Sequence, residues 1–129
     1  ECESSDAPLL FELAGGLHVP LTGATTNLDW IAERLPRIIL VARTSLGTLN
    51  HTLLSIEALR ARRLKIEALF LVGEAHPDNE RTLRELSGVP IVHHLPLFDP
   101  LSASSLDDWL NANDLSPLLG PALAACTKS

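Results

Sequence analysis

An α/β fold, with a mostly parallel sheet and helices on both faces, is what this 129-residue sequence predicts. Three observations carry that expectation. Apolar runs alternate with stretches of helical periodicity, the pattern of strands joined by crossover helices. The runs are continuous rather than alternating, as in strands covered on both faces. Gly or Pro punctuates the junctions, where such chains turn.

The first run, Pro8 to Leu13, stops at Ala14-Gly15-Gly16 and predicts a buried parallel strand. Thr25 to Leu35 predicts a helix. Thr26 or Asn27 can cap it, Leu28, Ile31 and Leu35 share one face, and Pro36 ends it. Arg37 to Arg43 is the clearest strand, apolar throughout its centre, which implies cover on both faces. Thr44-Ser45-Leu46-Gly47 turns into a helix from Thr48 to Arg63, where Leu49, Leu53, Ile56 and Leu59 recur at helical spacing. Ile66 to Gly73 predicts a third strand. His76-Pro77-Asp78-Asn79 opens a helix reaching Leu86, with Gly88 as its stop. Val89 to Leu95 predicts a fourth strand. Pro96 to Ser105 is a proline-punctuated loop, and Leu106 to Asn111 a short helix. Asp114 to Ala125 forms a last helix, weakened by Pro117, Gly120 and Pro121.

Composition narrows the function. Aromatics are only 4%, so the core is aliphatic. A net charge of −6 argues against nucleic acid or an anionic membrane, whose phosphates call for clustered Lys and Arg. The one basic cluster, Arg60, Arg62, Arg63 and Lys65, ends a helix and reads as a solvated helix end that complements the dipole. No apolar run approaches the roughly 20 residues of a membrane span, and no basic-plus-apolar leader is expected before the domain. Cys2 and Cys126 form no metal or disulfide pattern and read as reduced cytoplasmic thiols. The sequence has no Met even at position 1, so the expectation is that something preceded Glu1.

Ligands of parallel sheets bind at loops that follow the strand C-termini. Here these are Ala14 to Thr22, Thr44 to Asn50, Gly73 to Asp78 and Leu95 to Asp99. Glu12, near the end of the first strand, is a carboxylate that packing alone would not choose. It could meet a Mg²⁺ on nucleotide phosphates, with Gly15 and Gly16 admitting close backbone approach, or it could pair with a Lys or Arg beside a plain turn. In Leu46-Gly47-Thr48-Leu49-Asn50-His51, Thr48 is a candidate cap and the free amides of a helix start attract anions. Taken alone, that segment reads more readily as an ordinary strand-turn-helix junction. His51 reads as a structural hydrogen-bonder. His93 and His94 face opposite sides of their strand, and with His18 and His76 elsewhere no histidine pair suits a metal. Gly-x-Ser-x-Gly, Gly-x-x-x-x-Gly-Lys-Ser/Thr and Gly-x-Gly-x-x-Gly are all absent.

Two segments resemble a known family. Phe11-Glu12-Leu13-Ala14-Gly15-Gly16-Leu17-His18-Val19-Pro20-Leu21 is similar to the Val-Glu-Gly-Ala-Gly-Gly-x-x-x-Pro-Leu segment of dethiobiotin synthetases. Leu46-Gly47-Thr48-Leu49-Asn50-His51-Thr52-Leu53-Leu54 is similar to their Leu-Gly-x-x-Asn-His-x-x-Leu segment. With the Leu35-Pro36 strand entry and the Leu95-Pro96 turn, the resemblance covers roughly residues 8 to 110 and implies the C-terminal half of a three-layer, P-loop NTPase-like domain. It implies a cytoplasmic homodimeric ligase of biotin synthesis. ATP, with Mg²⁺, and CO₂ would close a cyclic urea on 7,8-diaminopelargonic acid to give dethiobiotin. By this resemblance Glu12 is the catalytic Mg²⁺ ligand, and Gly15 and Gly16 lie near the diamine and phosphates. Leu46, Gly47, Thr48, Leu49 and Asn50 hold the substrate's carboxylate tail across the dimer. Gly73, Pro96 and Leu97 lie on the nucleotide. The family's Gly-rich phosphate loop and its further catalytic Lys and Asp are missing. Gly73 stands where many members carry an adenine-binding Asn, and Leu13 replaces a Gly. A non-catalytic dimerisation or ligand-sensing relative, or a stand-alone α/β binding domain, would keep the same fold.

Overall fold

The computed structural model describes residues 9–118. Seven elements follow in the order α1 (Asn27–Arg34), β1 (Ile38–Arg43), α2 (Thr48–Ala61), β2 (Ile66–Val72), α3 (Pro77–Ser87), β3 (Ile91–Leu95) and α4 (Ala103–Ala112). The strands form one parallel sheet in the order β1-β2-β3. Register places Val41, Phe70 and His93 on one face, and Leu40, Leu69 and Val92 on the other. The second face carries the core, where Leu69, Leu71 and Val92 meet Ile56 and Leu59 of α2 and Leu83 of α3. On the first face the Trp109 indole of α4 packs against Phe70 and His93, with ring centroids 6.2 Å from each. Helices therefore lie on both sides of the sheet.

Local chemistry explains the boundaries. α1 opens with a capping box: Asp29 N–H donates to the Thr26 hydroxyl, and the Asp29 carboxylate accepts the Thr26 N–H. Arg62, at the end of α2, donates to the same carboxylate at 2.8 Å. α3 begins with Pro77 and ends at Gly88 in the left-handed conformation. The basic cluster is more engaged than a solvated helix end. Arg60 donates to the Ser87 carbonyl, Arg62 pairs with Asp29, and Lys65 pairs with Glu67.

Asp29 gives a pH test. The backbone and hydroxyl hydrogen bonds of Thr26, then Arg62, lower its pKa from 3.8 to about 2. A depressed folded-state pKa contributes stability above the unfolded value, lost as pH falls through the folded one. The melting temperature of the parent should therefore fall more steeply than that of Asp29→Asn between about pH 4 and pH 2. Parallel slopes in a melting series over that range would show that the box carries no such linkage.

Four expectations are corrected. Residues 9–13 form no strand, and Leu9, Leu10 and Phe11 are exposed. An apolar run does not by itself distinguish a strand from an irregular apolar segment, and Phe11 instead packs edge-on against Trp30 of α1. Ala14 to Thr22 is accordingly not a loop following a strand. Next, β1 is not covered on both faces among the described residues, since Ile39 is 47% and Val41 62% exposed. Leu35 leaves the buried face of α1 because it is the left-handed C-cap, with φ 47°. Finally, α4 is longer than Leu106 to Asn111, because Ser102 and Ser105 form a reciprocal cap upstream. The helix expected over Asp114 to Ala125 lies largely outside the described residues, as do Cys2 and Cys126.

Candidate functional site

Because the strands are parallel, the residues that follow β1, β2 and β3 share one rim. Arg43 at the end of β1 with Thr44 and Ser45 after it, Gly73, Glu74 and His76 after β2, and Leu97 after β3 line an open cleft of about 290 Å³ there. The polar groups come from Arg43, Thr44, Ser45, Glu74 and His76, with Leu97 as the large exposed apolar one. A guanidinium, hydroxyls and an apolar shelf suit a ligand with both an anionic and a flat apolar part. Of the expected nucleotide residues, Gly73 and Leu97 line this cleft, and Pro96 precedes Leu97 on the same loop.

Leu46 to Asn50 begin α2 at the same rim. The cap position falls on Gly47 (φ 89°), not on Thr48, and no side chain bonds the cap amides. Left-handed geometry at that turn explains the glycine. Thr48 is the first helical residue and turns inward, its hydroxyl buried and without a hydrogen-bond partner, like that of Thr52 one turn on. Leu46 is fully exposed, Leu49 is half-buried and Asn50 exposed. The Thr48 N–H donates to the Ser45 carbonyl at 3.1 Å, so the helix presents the Leu49 and Asn50 amides and the Asn50 side chain, a set able to hold an anion.

Glu12, Gly15 and Gly16 are not brought into the rim cleft. Glu12 is exposed on the irregular lead segment. Gly16 lies with Leu17 to Pro20 in a groove against Leu54, Ser55, Glu57, Ala58, Ala61 and Arg62 of α2, away from that helix's start. What holds the glycine loop is a residue read from sequence only as an alternative cap. The Asn27 side chain is buried, and its Nδ2 donates to the carbonyls of Ala14 (3.0 Å) and Gly16 (2.9 Å). Asp29 was likewise overlooked, although Thr26-x-x-Asp29 is a legible capping-box spacing. Among the described residues no three His, Cys, Asp or Glu side chains gather as a metal site, and no helix is long and apolar enough to cross a membrane.

Comparison with known proteins gives the family. A family model described as AAA domain matches residues 1–105. The ATP-dependent dethiobiotin synthetase BioD of Brucella anthropi is 50% identical over 103 residues, 80% of this chain and 49% of the relative. The BioD of Rhodopseudomonas palustris is 45% identical over 101 residues, 78% of this chain and 47% of the relative. The biotin biosynthesis bifunctional protein BioCD of Bordetella avium is 40% identical over 103 residues, 80% of this chain and 22% of the relative. The chain spans about half the length of the first two. It belongs to the AAA domain family, and the first two of these relatives are dethiobiotin synthetases.

Proposed function

We propose that this chain is the substrate-tail-binding and dimerising half of an ATP-dependent dethiobiotin synthetase acting in the cytoplasm. The reaction joins CO₂ to 7,8-diaminopelargonic acid as a carbamate. ATP phosphorylates the carbamate, and the second amine displaces phosphate to close the cyclic urea. The observation that supports this most is the convergence of Thr44 to Asn50, Gly73 to His76 and Leu97 on one rim of a parallel sheet.

The residues divide the work by chemistry. The Leu49 and Asn50 amides at the start of α2, with the Asn50 side chain, would bind the carboxylate tail of the diamine, offered by a second copy of the chain, whereas the Thr48 N–H is taken by the Ser45 carbonyl. Gly73, Pro96 and Leu97 would bear on the nucleotide base. Gly73 has no side chain with which to read that base. Gly15 and Gly16, held by Asn27, would lie near the diamine and phosphates. Mg²⁺ takes one or two carboxylates together with phosphate oxygens and water, so Glu12 suits it in kind. Glu12 stands outside the rim cleft, so the described residues do not by themselves build that metal site.

The test is a melting series with 7,8-diaminopelargonic acid and with Mg-ATP. A ligand bound to the native state at 100 times its Kd stabilises by about 2.7 kcal/mol, an unmistakable upward shift. Failure of both ligands to shift the transition would count against the ligase assignment. In the protein as its gene encodes it, Asn50→Ala should raise KM for the diamine roughly tenfold or more and lower kcat less, because the tail is remote from the reacting amines. Unchanged diamine affinity would move the carboxylate site elsewhere.

A further inference from the structure

All three rim loops meet at Gly73. Its N–H donates to the Leu95 carbonyl at 3.1 Å, and Thr44 N–H donates to the carbonyl of the preceding Val72 at 3.0 Å. A methyl group on its α-carbon would collide with Thr44 Oγ1. Its carbonyl oxygen lies 2.7 Å from His94 Nε2. A carbonyl only accepts, so Nε2 carries the proton and donates. The strand end that carries His94 is itself held, since Trp109 Nε1 donates to the His94 carbonyl at 3.1 Å. Gly73 sits at φ 132°, with no side chain to fix it. Without a partner its carbonyl could swing, and Glu74 and His76 would move with it.

We infer that His94 is a positioning residue of the rim: by holding the Gly73 carbonyl it fixes the Gly73 to His76 wall on which the nucleotide rests. This rests on the nucleotide site proposed above. Gln at position 94 keeps an N–H donor of similar reach, whereas Leu keeps only bulk.

Steady-state kinetics of His94→Leu and His94→Gln, in the protein as its gene encodes it, test the role. Loss of one such bond corresponds to about a tenfold change. Expected for His94→Leu is a KM for Mg-ATP raised about tenfold with the diamine KM within about twofold, and for His94→Gln both constants near the parent. A Leu variant with an unchanged KM for ATP, or with both constants raised alike and no recovery in the Gln variant, overturns the role. If the Leu variant does not fold, the Gln variant decides by itself: a parental KM for ATP upholds the hydrogen bond, and a raised one refutes it. A parent enzyme with no response to ATP would sink the nucleotide site itself, a result distinct from all of these.

Discussion

Gly73→Ala is expected to destabilise the protein by about 2–4 kcal/mol, combining a strained left-sided backbone with an overpacked contact. Gly73 has φ 132°, which L side chains rarely adopt, and its new methyl would strike Thr44 Oγ1. The two causes separate in a double-mutant cycle. Thr44→Ala removes the collision but leaves the backbone strain, so Gly73→Ala/Thr44→Ala should be less destabilised than the sum of the single variants by about 1–2 kcal/mol. Urea unfolding with comparable slopes provides the measurement. Additive losses would mean that Thr44 yields freely and that the rim is looser than its packing implies.

Leu59→Ala should cost about 3–4 kcal/mol, within the usual range for a leucine truncated in a tight core. Leu59 is 0% exposed and packs in the cluster that joins α2 to the sheet and α3. The Leu59 carbonyl also accepts from the Arg62 and Leu64 amides, so the side chain sits where α2 turns back towards β2. Total stabilities of about 5–15 kcal/mol make such a loss severe. Leu59→Met, which keeps the volume, should cost less than about 1.5 kcal/mol. Similar midpoints for the two variants would show that this part of the core is poorly packed.

The sheet and its helices were legible because burial writes a period into the sequence. Ile66 to Val72 alternates too little for a solvated strand, and it lies in the middle of the sheet. Pro77 and Gly88 bracket α3 as their backbone preferences require. The same logic misled at the edges. Residues 9–13 are as apolar as a strand, but an apolar run states what a segment must cover, not whether a neighbour offers it hydrogen bonds. β1 is apolar on both faces for the same reason, although Ile39 and Val41 stand bare among the described residues. At the site, the loops that follow β1, β2 and β3 could be located because their strands were. The position of Glu12 was inferred from a strand that does not form, and its place relative to the cleft was lost with it. The holding roles of Asn27 and His94 were not legible because their partners, the carbonyls of Ala14, Gly16 and Gly73, belong to the fold and not to any motif.

The most direct test of the rim as the ligand site is amide hydrogen exchange in the protein as its gene encodes it, with and without Mg-ATP and 7,8-diaminopelargonic acid. Expected is slowed exchange concentrated in residues 44–50, 73–76 and 95–97, with the sheet interior at Leu69 and Leu71 unchanged. Protection confined to the groove between residues 16–20 and the second half of α2, with the three rim loops unaffected, would contradict it.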